Sequence, residues 1–366
     1  MGSGQILLDG AALRDGRADA GIGRSVRELS AELTVLAPLR VRLVVPPRRS
    51  RSESRPGRHL HAERTLLPLA WADLPPLVHG LGGEPLLGWP GARQVVTVHD
   101  LELWNDTALP AGPRGVALRA YRRAVGLGLR RCAALVTVSA TVREEVVSRL
   151  GVAPGRVHVV PGGVSADFRA TPAAGDDARR DAIGVPPRYL LWVGSLRHWD
   201  PRKALDVLLE ALALAGPAAP PLLLAGVPGQ ASDQAEDQAA ASGVALRAIG
   251  TVDDPTLAAL YRGSAAVILP SRHEGFGLTA LEAMACATPL ICSDAGNLPT
   301  LAGSTAHVVA AGDPRALARA LTHVLDDPES ARRRALEGAA TASRYTWRRA
   351  AEQTLSLYDA LLNPPP

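Results

Sequence analysis

Two carboxylates, Glu274 and Glu282, flank a glycine-bearing turn in the stretch Leu269-Pro-Ser-Arg-His-Glu-Gly-Phe-Gly-Leu-Thr-Ala-Leu-Glu-Ala-Met-Ala. The apolar run before it reads as a buried strand that ends at Pro270. A loop with Gly275 and Gly277 follows, and helical spacing opens near Leu278. Glycines let backbone N–H groups approach a ligand closely, and a helix N-terminus adds partial positive charge. Such a turn is a cradle for a phosphate or for sugar hydroxyls. Carboxylates beside it do not bind the phosphate; they suit hydroxyl donors, one on a sugar and one on a ribose. Glu282 lies about one turn past the helix start and is expected to point back toward the same ligand.

Lys203 is the single lysine among 40 basic residues. The arginine bias, with abundant Ala, Gly and Pro, fits a GC-rich coding sequence. Against it, the lysine is either a chance surface residue or a compact charge kept for chemistry, such as neutralising a diphosphate leaving group. Arg202 beside it is a candidate helper or a plain surface arginine. His99 closes the strand Val95–Val98, where it either meets a substrate or bonds to backbone; His59, His61, His158 and His307 read as structural. Gly21 and Gly23 lack the third glycine of a dinucleotide fingerprint, since position 26 is valine, and ten or more residues separate them from the preceding strand. That weighs against a nicotinamide enzyme. No Walker lysine, Gly-x-Ser-x-Gly elbow or metal-ligand cluster is present in the sequence, so neither a metal nor a cofactor is expected.

The elements that must position these groups alternate between strand and helix. Strands are expected at Gln5–Asp9, Val41–Val45, Val95–Val98, Leu135–Val138 and Val157–Val160, with helices at Gly23–Ala37 and about 140–150. The pattern restarts with strands at Tyr189–Val193, Leu222–Ala225, Ala245–Ile249, Ala265–Leu269 and Pro289–Cys292 and a helix over Lys203–Ala215. Alternation of this kind makes parallel sheets with crossover helices. The chain therefore divides into an N-terminal Rossmann-like domain at 1–165, a linker at 166–187, a C-terminal Rossmann-like domain at 188–345 and a final helix at 346–366 that crosses back.

Composition bounds the function. With 366 residues and roughly 100–200 per domain, two domains are expected. A hydrophobic fraction of 47% excludes global disorder. Cys132, Cys286 and Cys292 form no Cys-x-x-Cys, which excludes a disulfide scaffold and a zinc ribbon. No apolar run reaches 18 residues and no leader opens the chain, so the expectation is a soluble, cytoplasmic protein. A net charge of +4 argues for no nucleic-acid partner but permits an anionic ligand or a weak peripheral membrane contact. The Arg- and Ser-rich stretch 46–58 reads as a solvated loop, or as a basic flap for an anionic acceptor.

The string from Glu274 through Gly275, Phe276, Gly277 and Leu278 to Glu282-Ala-Met-Ala resembles the Glu-x7-Glu signature of retaining, nucleotide-sugar-dependent glycosyltransferases of family 4. Gly21-Ile-Gly-Arg-Ser, Val96-Thr-Val-His-Asp, Trp192-Val-Gly-Ser-Leu, Pro201-Arg-Lys and Thr251-Val-Asp-Asp are similar to landmarks of that family in order. The resemblance implies the α/β GT-B fold, two Rossmann-like domains facing a central cleft, acting without a metal. It implies that Gly21 and Gly23 approach the donor diphosphate and that His99 meets the donor sugar. Lys203 would neutralise the leaving group in front-face substitution. Glu274 and the amides of Gly275, Phe276, Gly277, Leu278 and Thr279 would orient the sugar, with Glu282 on the ribose and Val252 in the donor site. Many relatives carry an arginine where Ser195 stands, so Arg197 or Arg202 would replace it. The donor would be GDP-mannose or a UDP- or TDP-sugar, and the acceptor a hydroxyl of a glycan, a lipid-linked glycan or a natural product. The alternatives are a GT-B nucleotide-sugar hydrolase or epimerase and a non-catalytic nucleotide-sugar-binding protein.

Overall fold

The computed structural model describes residues 5–15, 17–18, 20–47, 55–105 and 112–363. It divides into two compact units, Met1–Gly163 with Trp347–Pro366, and Val164–Thr346. No helix among the described residues is long and apolar enough to cross a membrane.

In the first unit, strands β1 (Ile6–Asp9), β2 (Val41–Val44), β3 (Val78–Gly80), β4 (Gln94–Val98), β5 (Ala134–Thr137) and β6 (Val157–Val159) form one parallel sheet in the order β2-β1-β3-β4-β5-β6. β1, β3, β4 and β5 are buried along their whole length, as strands covered on both faces must be, which is why they read as unbroken apolar runs. The helices are α1 (Gly21–Leu36), α2 (Arg55–Asp73), α3 (Glu102–Asn105), α4 (Pro113–Arg131) and α5 (Ala140–Leu150). α5 shows how local chemistry sets boundaries. The Ser139 hydroxyl accepts from the Val142 amide at its start, and Gly151 closes it in the left-handed conformation.

The C-terminal helix, Trp347–Leu362, belongs to this first unit and packs on α1. The hydroxyl of its fully buried Tyr358 is hydrogen-bonded to Nδ1 of His79 at 2.5 Å, and Thr97 Oγ1 is hydrogen-bonded to His79 Nε2 at 2.8 Å. Burial lowers the His79 pKa to about 3, so the imidazole is neutral, with one nitrogen donating and the other accepting. At the surface, Arg40 pairs with Asp359 at 2.5 Å.

The second unit repeats the plan with β7 (Leu190–Val193), β8 (Leu222–Ala225), β9 (Leu246–Gly250), β10 (Ala266–Leu269), β11 (Leu290–Ser293) and β12 (His307–Val309) in the order β12-β11-β10-β7-β8-β9. Its helices are α6 (Asp176–Ala182), α7 (Leu205–Ala215), α8 (Gln230–Ala241), α9 (Asp254–Gly263), α10 (Leu278–Ala285), α11 (Leu298–Ala302), α12 (Pro314–Asp326) and α13 (Pro328–Ala342). Leu190, Trp192, Leu208, Leu224, Ile268 and Ile291 lie in one core between sheet and helices. The chain lays β7 centrally, adds β8 and β9 on one side, then returns to place β10 on the other. The reversal falls between β7 and β10, and ligands of open parallel sheets bind beyond the strand carboxyl ends at such a point.

Several sequence expectations are corrected. α1 begins at Gly21, two residues before the expected start at Gly23, so both glycines lie in its first turn. A Cβ on Gly23 would sit 2.3 Å from the Arg17 carbonyl oxygen, so this glycine admits the loop that precedes the helix. The stretch 166–187 is not a free connection. It contains α6, packed on α9, where Arg262 grips Asp176 through Nε at 2.6 Å and Nη2 at 2.8 Å. Lys203 does not begin α7. It ends a 3-10 turn, Pro201–Lys203, and Ala204 at φ +49 separates that turn from the helix. Residues 48–54 of the Arg- and Ser-rich stretch lie outside the described residues, and the helix α2 begins at Arg55.

Candidate active site

Lys203 and Glu274 stand at the strand reversal of the second unit. The 3-10 turn that carries Lys203 follows β7, and the loop that carries Glu274 follows β10, the strand hydrogen-bonded beside it. Asp200 caps the turn by accepting from the Arg202 amide. The Lys203 ammonium Nζ then lies 2.6 Å from Glu274 Oε1, and the Ser271 hydroxyl donates to the same oxygen at 2.9 Å. The Lys203 side chain is 34% exposed and that of Glu274 17%, so the pair is open to a ligand.

The Glu274 loop is held from beneath. The Asn297 amide donates to the Glu274 carbonyl at 3.0 Å, and Asn297 Nδ2 donates to the Phe276 carbonyl at 3.0 Å. Gly296, at φ +57, brings its backbone so close that an added Cβ would lie 2.1 Å from the Glu274 carbonyl oxygen. Phe276 is buried against Tyr345, with ring centroids 6.0 Å apart. Gly277 precedes α10 at φ +96 and offers no capping side chain, so the helix opens toward the loop without a side-chain acceptor on its first amides. Leu278 and Thr279 form that first turn and are half-buried.

Glu282 lies in α10, eight residues past Glu274. It is buried beneath the loop, and its Oε2 accepts from the buried Tyr261 hydroxyl at 2.9 Å. Arg202 is engaged locally: Nε and Nη2 reach the two Asp200 oxygens at 3.0 and 2.7 Å. Burial pushes the Asp200 carboxyl up, and the hydrogen bonds and charge of Arg202 outweigh it, leaving the group below its ordinary value. Arg197 follows β7 in the same loop as Ser195, and its carbonyl accepts the Gln230 amide at the start of α8 at 3.1 Å. Val252 lies after β9, the edge strand, three strands along the sheet from β10.

The remaining expected residues belong to the first unit. His99 follows β4, and its Nε2 N–H donates to the Leu81 carbonyl at 2.8 Å, which leaves the Nδ1 lone pair as its free function. Burial lowers its pKa, so it is neutral. Gly21 is exposed at the start of α1. Ser271, Asn297, Gly296 and Tyr261 were not singled out from the sequence. Signals existed only for Gly296 and Asn297, as a Gly-Asn pair a few residues after a strand. Among the described residues, no group of three or more His, Cys, Asp and Glu side chains is placed to hold a metal ion.

Comparison with known proteins adds the family. Residues 20–168 match the family model described as Glycosyltransferase Family 4, and residues 187–327 match that described as Glycosyl transferases group 1. A D-inositol 3-phosphate glycosyltransferase of Streptomyces avermitilis is 32% identical over 80% of this chain and 68% of its own length. Across eight relatives, which include glycogen synthase of Mycobacterium tuberculosis and an O-antigen chain mannosyltransferase of Escherichia coli, the chain spans 54–71% of their length. Among solved structures, sucrose-phosphate synthase of Thermosynechococcus elongatus superposes with a TM-score of 0.80 at 23% identity, over 99% of this chain and 100% of that one. HepE of Anabaena, in complex with UDP-glucose, gives 0.72 at 17% identity over 97% and 99%. The two parallel six-stranded units have the GT-B fold, and the chain belongs to glycosyltransferase family 4.

Proposed function

We propose that this enzyme moves a hexose from a nucleoside diphosphate sugar to a hydroxyl acceptor with retention of the anomeric configuration. The observation that carries this reading is the Lys203–Glu274 pair beside the glycine-bearing loop at the β7–β10 reversal. In the free molecule the ammonium is neutralised by Glu274. A bound diphosphate would offer it a stronger partner, and the carboxylate so released is free to accept from sugar hydroxyls. As the sugar–oxygen bond breaks, charge grows on the leaving diphosphate. A fixed cation and the unblocked amides at the head of α10 stabilise that charge where it develops. The departing phosphate oxygen takes the acceptor's proton, so no side chain must act as base on that face.

Glu282, held by Tyr261, is the candidate for the ribose, and Val252 and Arg197 line the approach from the β8–β9 side. His99, Gly21 and Gly23 are proposed to serve the donor from the first unit, which would also carry the acceptor. Solved relatives with UDP-glucose bound support a nucleotide-sugar donor as a class; GDP-mannose and UDP- or TDP-hexoses are the candidates. The test is a melting-temperature screen against GDP, UDP, TDP and ADP and their sugars, followed by product analysis with a hydroxyl acceptor panel. A ligand that binds only the folded protein raises the melting temperature by mass action. A shift with one nucleotide, and a glycosylated product with the same anomeric configuration as the donor, is expected. Free sugar as the sole product with every acceptor would replace transfer by hydrolysis.

A further inference from the structure

Helix α4 carries six arginines, Arg114, Arg119, Arg122, Arg123, Arg130 and Arg131, and no carboxylate along its 19 residues. Four of them, Arg119, Arg122, Arg123 and Arg130, join Arg149 at the end of α5 to line a cavity of about 550 Å³ within the first unit. That volume lies in the range of small-molecule sites, roughly 300–1,000 Å³. The α4 positions recur at intervals of three, four, seven and eleven, so they form one stripe of the helix.

The five guanidiniums are not equivalent. Arg130 Nε donates to the Leu150 carbonyl at 2.5 Å, and Arg122 Nη2 donates to the Trp104 carbonyl at 3.4 Å. These two tie α4 to α5 and to α3 and so fix the walls. Arg119, Arg123 and Arg149 are exposed and are paired with no carboxylate among the described residues. Arg119 and Arg123 are four apart on one helix, a spacing at which like charges repel. Arg119, Arg123 and Arg149, with no carboxylate partner among the described residues, focus a positive potential in one concavity, and the planar guanidinium fork matches phosphate oxygens two at a time. The rest of the lining is apolar. Leu127 is 49% exposed in the cavity, and Trp104 lies over Gly126, whose added Cβ would meet the indole at 3.6 Å.

We propose that this arginine cavity binds a phosphate-bearing ligand with an apolar group next to the phosphate. A lipid headgroup at a membrane face and a free phosphorylated molecule share that chemistry. The cavity is lined by first-unit residues alone, none of them assigned to the transfer site, so the proposal does not depend on the transfer reading.

The full chain would be tested by co-sedimentation with phosphatidylcholine vesicles carrying phosphatidylglycerol, and by titration with pyrophosphate and with glycerol phosphate. The variant Arg119→Gln/Arg123→Gln/Arg149→Gln is compared with a charge-matched control in the second unit, Arg315→Gln/Arg332→Gln/Arg333→Gln. Near a charged surface each arginine contributes roughly fivefold, so the triple variant is expected to lose on the order of 100-fold in binding while the control keeps it. Equal melting temperatures exclude unfolding as the cause. Loss seen only with vesicles assigns the lipid source, and loss seen only in solution assigns the free phosphate. No binding by the native protein in either arm, undiminished binding by the cavity variant, or equal loss in the control would each overturn the proposal.

Discussion

The Lys203 ammonium lies 2.6 Å from the Glu274 carboxylate although 71 residues separate them in the chain. The contact exists because β7 and β10 are hydrogen-bonded neighbours whose following loops emerge at the same sheet edge. The sole lysine of the chain is thereby held against the first carboxylate of the Glu-x7-Glu string.

Removing that lysine should separate chemistry from folding. Lys203→Ala is expected to lower turnover about 100- to 1,000-fold, the usual effect of deleting one group that stabilises developing charge. Its side chain is a third exposed, so the pair contributes only about 0–1 kcal/mol to stability, and the melting temperature should barely move. Full turnover in the folded variant would remove Lys203 from the mechanism.

Glu274→Gln tests whether the pair is a resting state. Without the carboxylate the ammonium loses its ion-pair partner at 2.6 Å. Nucleoside diphosphate alone should then bind about fivefold tighter, just under ~1 kcal/mol, while sugar transfer collapses. Calorimetric titration of both proteins checks this. Weaker diphosphate binding in the variant would mean that Glu274 supports the phosphate site rather than competing for it.

Gly296→Ala should disturb the site from behind. Its Cβ would lie 2.1 Å from the Glu274 carbonyl oxygen, on a backbone at φ +57. The loop must shift, with a stability cost of roughly 2–3 kcal/mol and loss of the nucleotide-induced melting shift. Gly243→Ala is the control: φ is +69, but nothing lies within 4 Å of its added Cβ. Only the left-handed backbone penalty of about 1–2 kcal/mol applies there, and the nucleotide response should survive. Equal nucleotide responses in the two variants would show that the Gly296 approach does not position Glu274.

Acid stability should carry the mark of His79. Its folded pKa is about 3, below the ordinary value of 6.5, because of burial. As the pH falls through that window, the unfolded chain takes a proton that the folded protein refuses, so His79 lowers stability on acidification. Asp9 works the other way: burial raises its pKa from 3.8 to about 6, so the folded protein protonates first and gains. His79→Gln should lower the melting temperature at pH 7, since buried hydrogen bonds to Tyr358 and Thr97 are disturbed at about 1–3 kcal/mol. The gap between native and variant proteins should narrow from pH 7 to pH 5 in thermal melts followed by circular dichroism. A gap that stays constant would show that His79 does not resist protonation.

Short buried strands and well-capped helices were readable one residue at a time. The runs at Val95–Val98 and Ala265–Leu269 are apolar because both sheet faces are covered, and Ser139 and Gly151 bracket α5 through local backbone chemistry. β3 escaped notice because three residues ending in His79-Gly80 give no periodicity. α8 escaped because its Gln, Asp and Ala sequence has few large apolar residues to mark a face.

The sequence by itself determined the alternation of strand and helix, the two-unit plan, the glycine loop between Glu274 and Glu282, and the singular Lys203. These depend on residue type, local spacing and resemblance along the chain. Tertiary structure alone decided that Lys203 meets Glu274, that Arg202 turns back onto Asp200, that Glu282 is buried against Tyr261, and that Gly296 and Asn297 support the loop. The arginine cavity likewise needs α4 and α5 side by side. The physical reason is the same in each case. Strand order is set by how buried faces pack over long separations, and local spacing carries no record of which loops that order brings together.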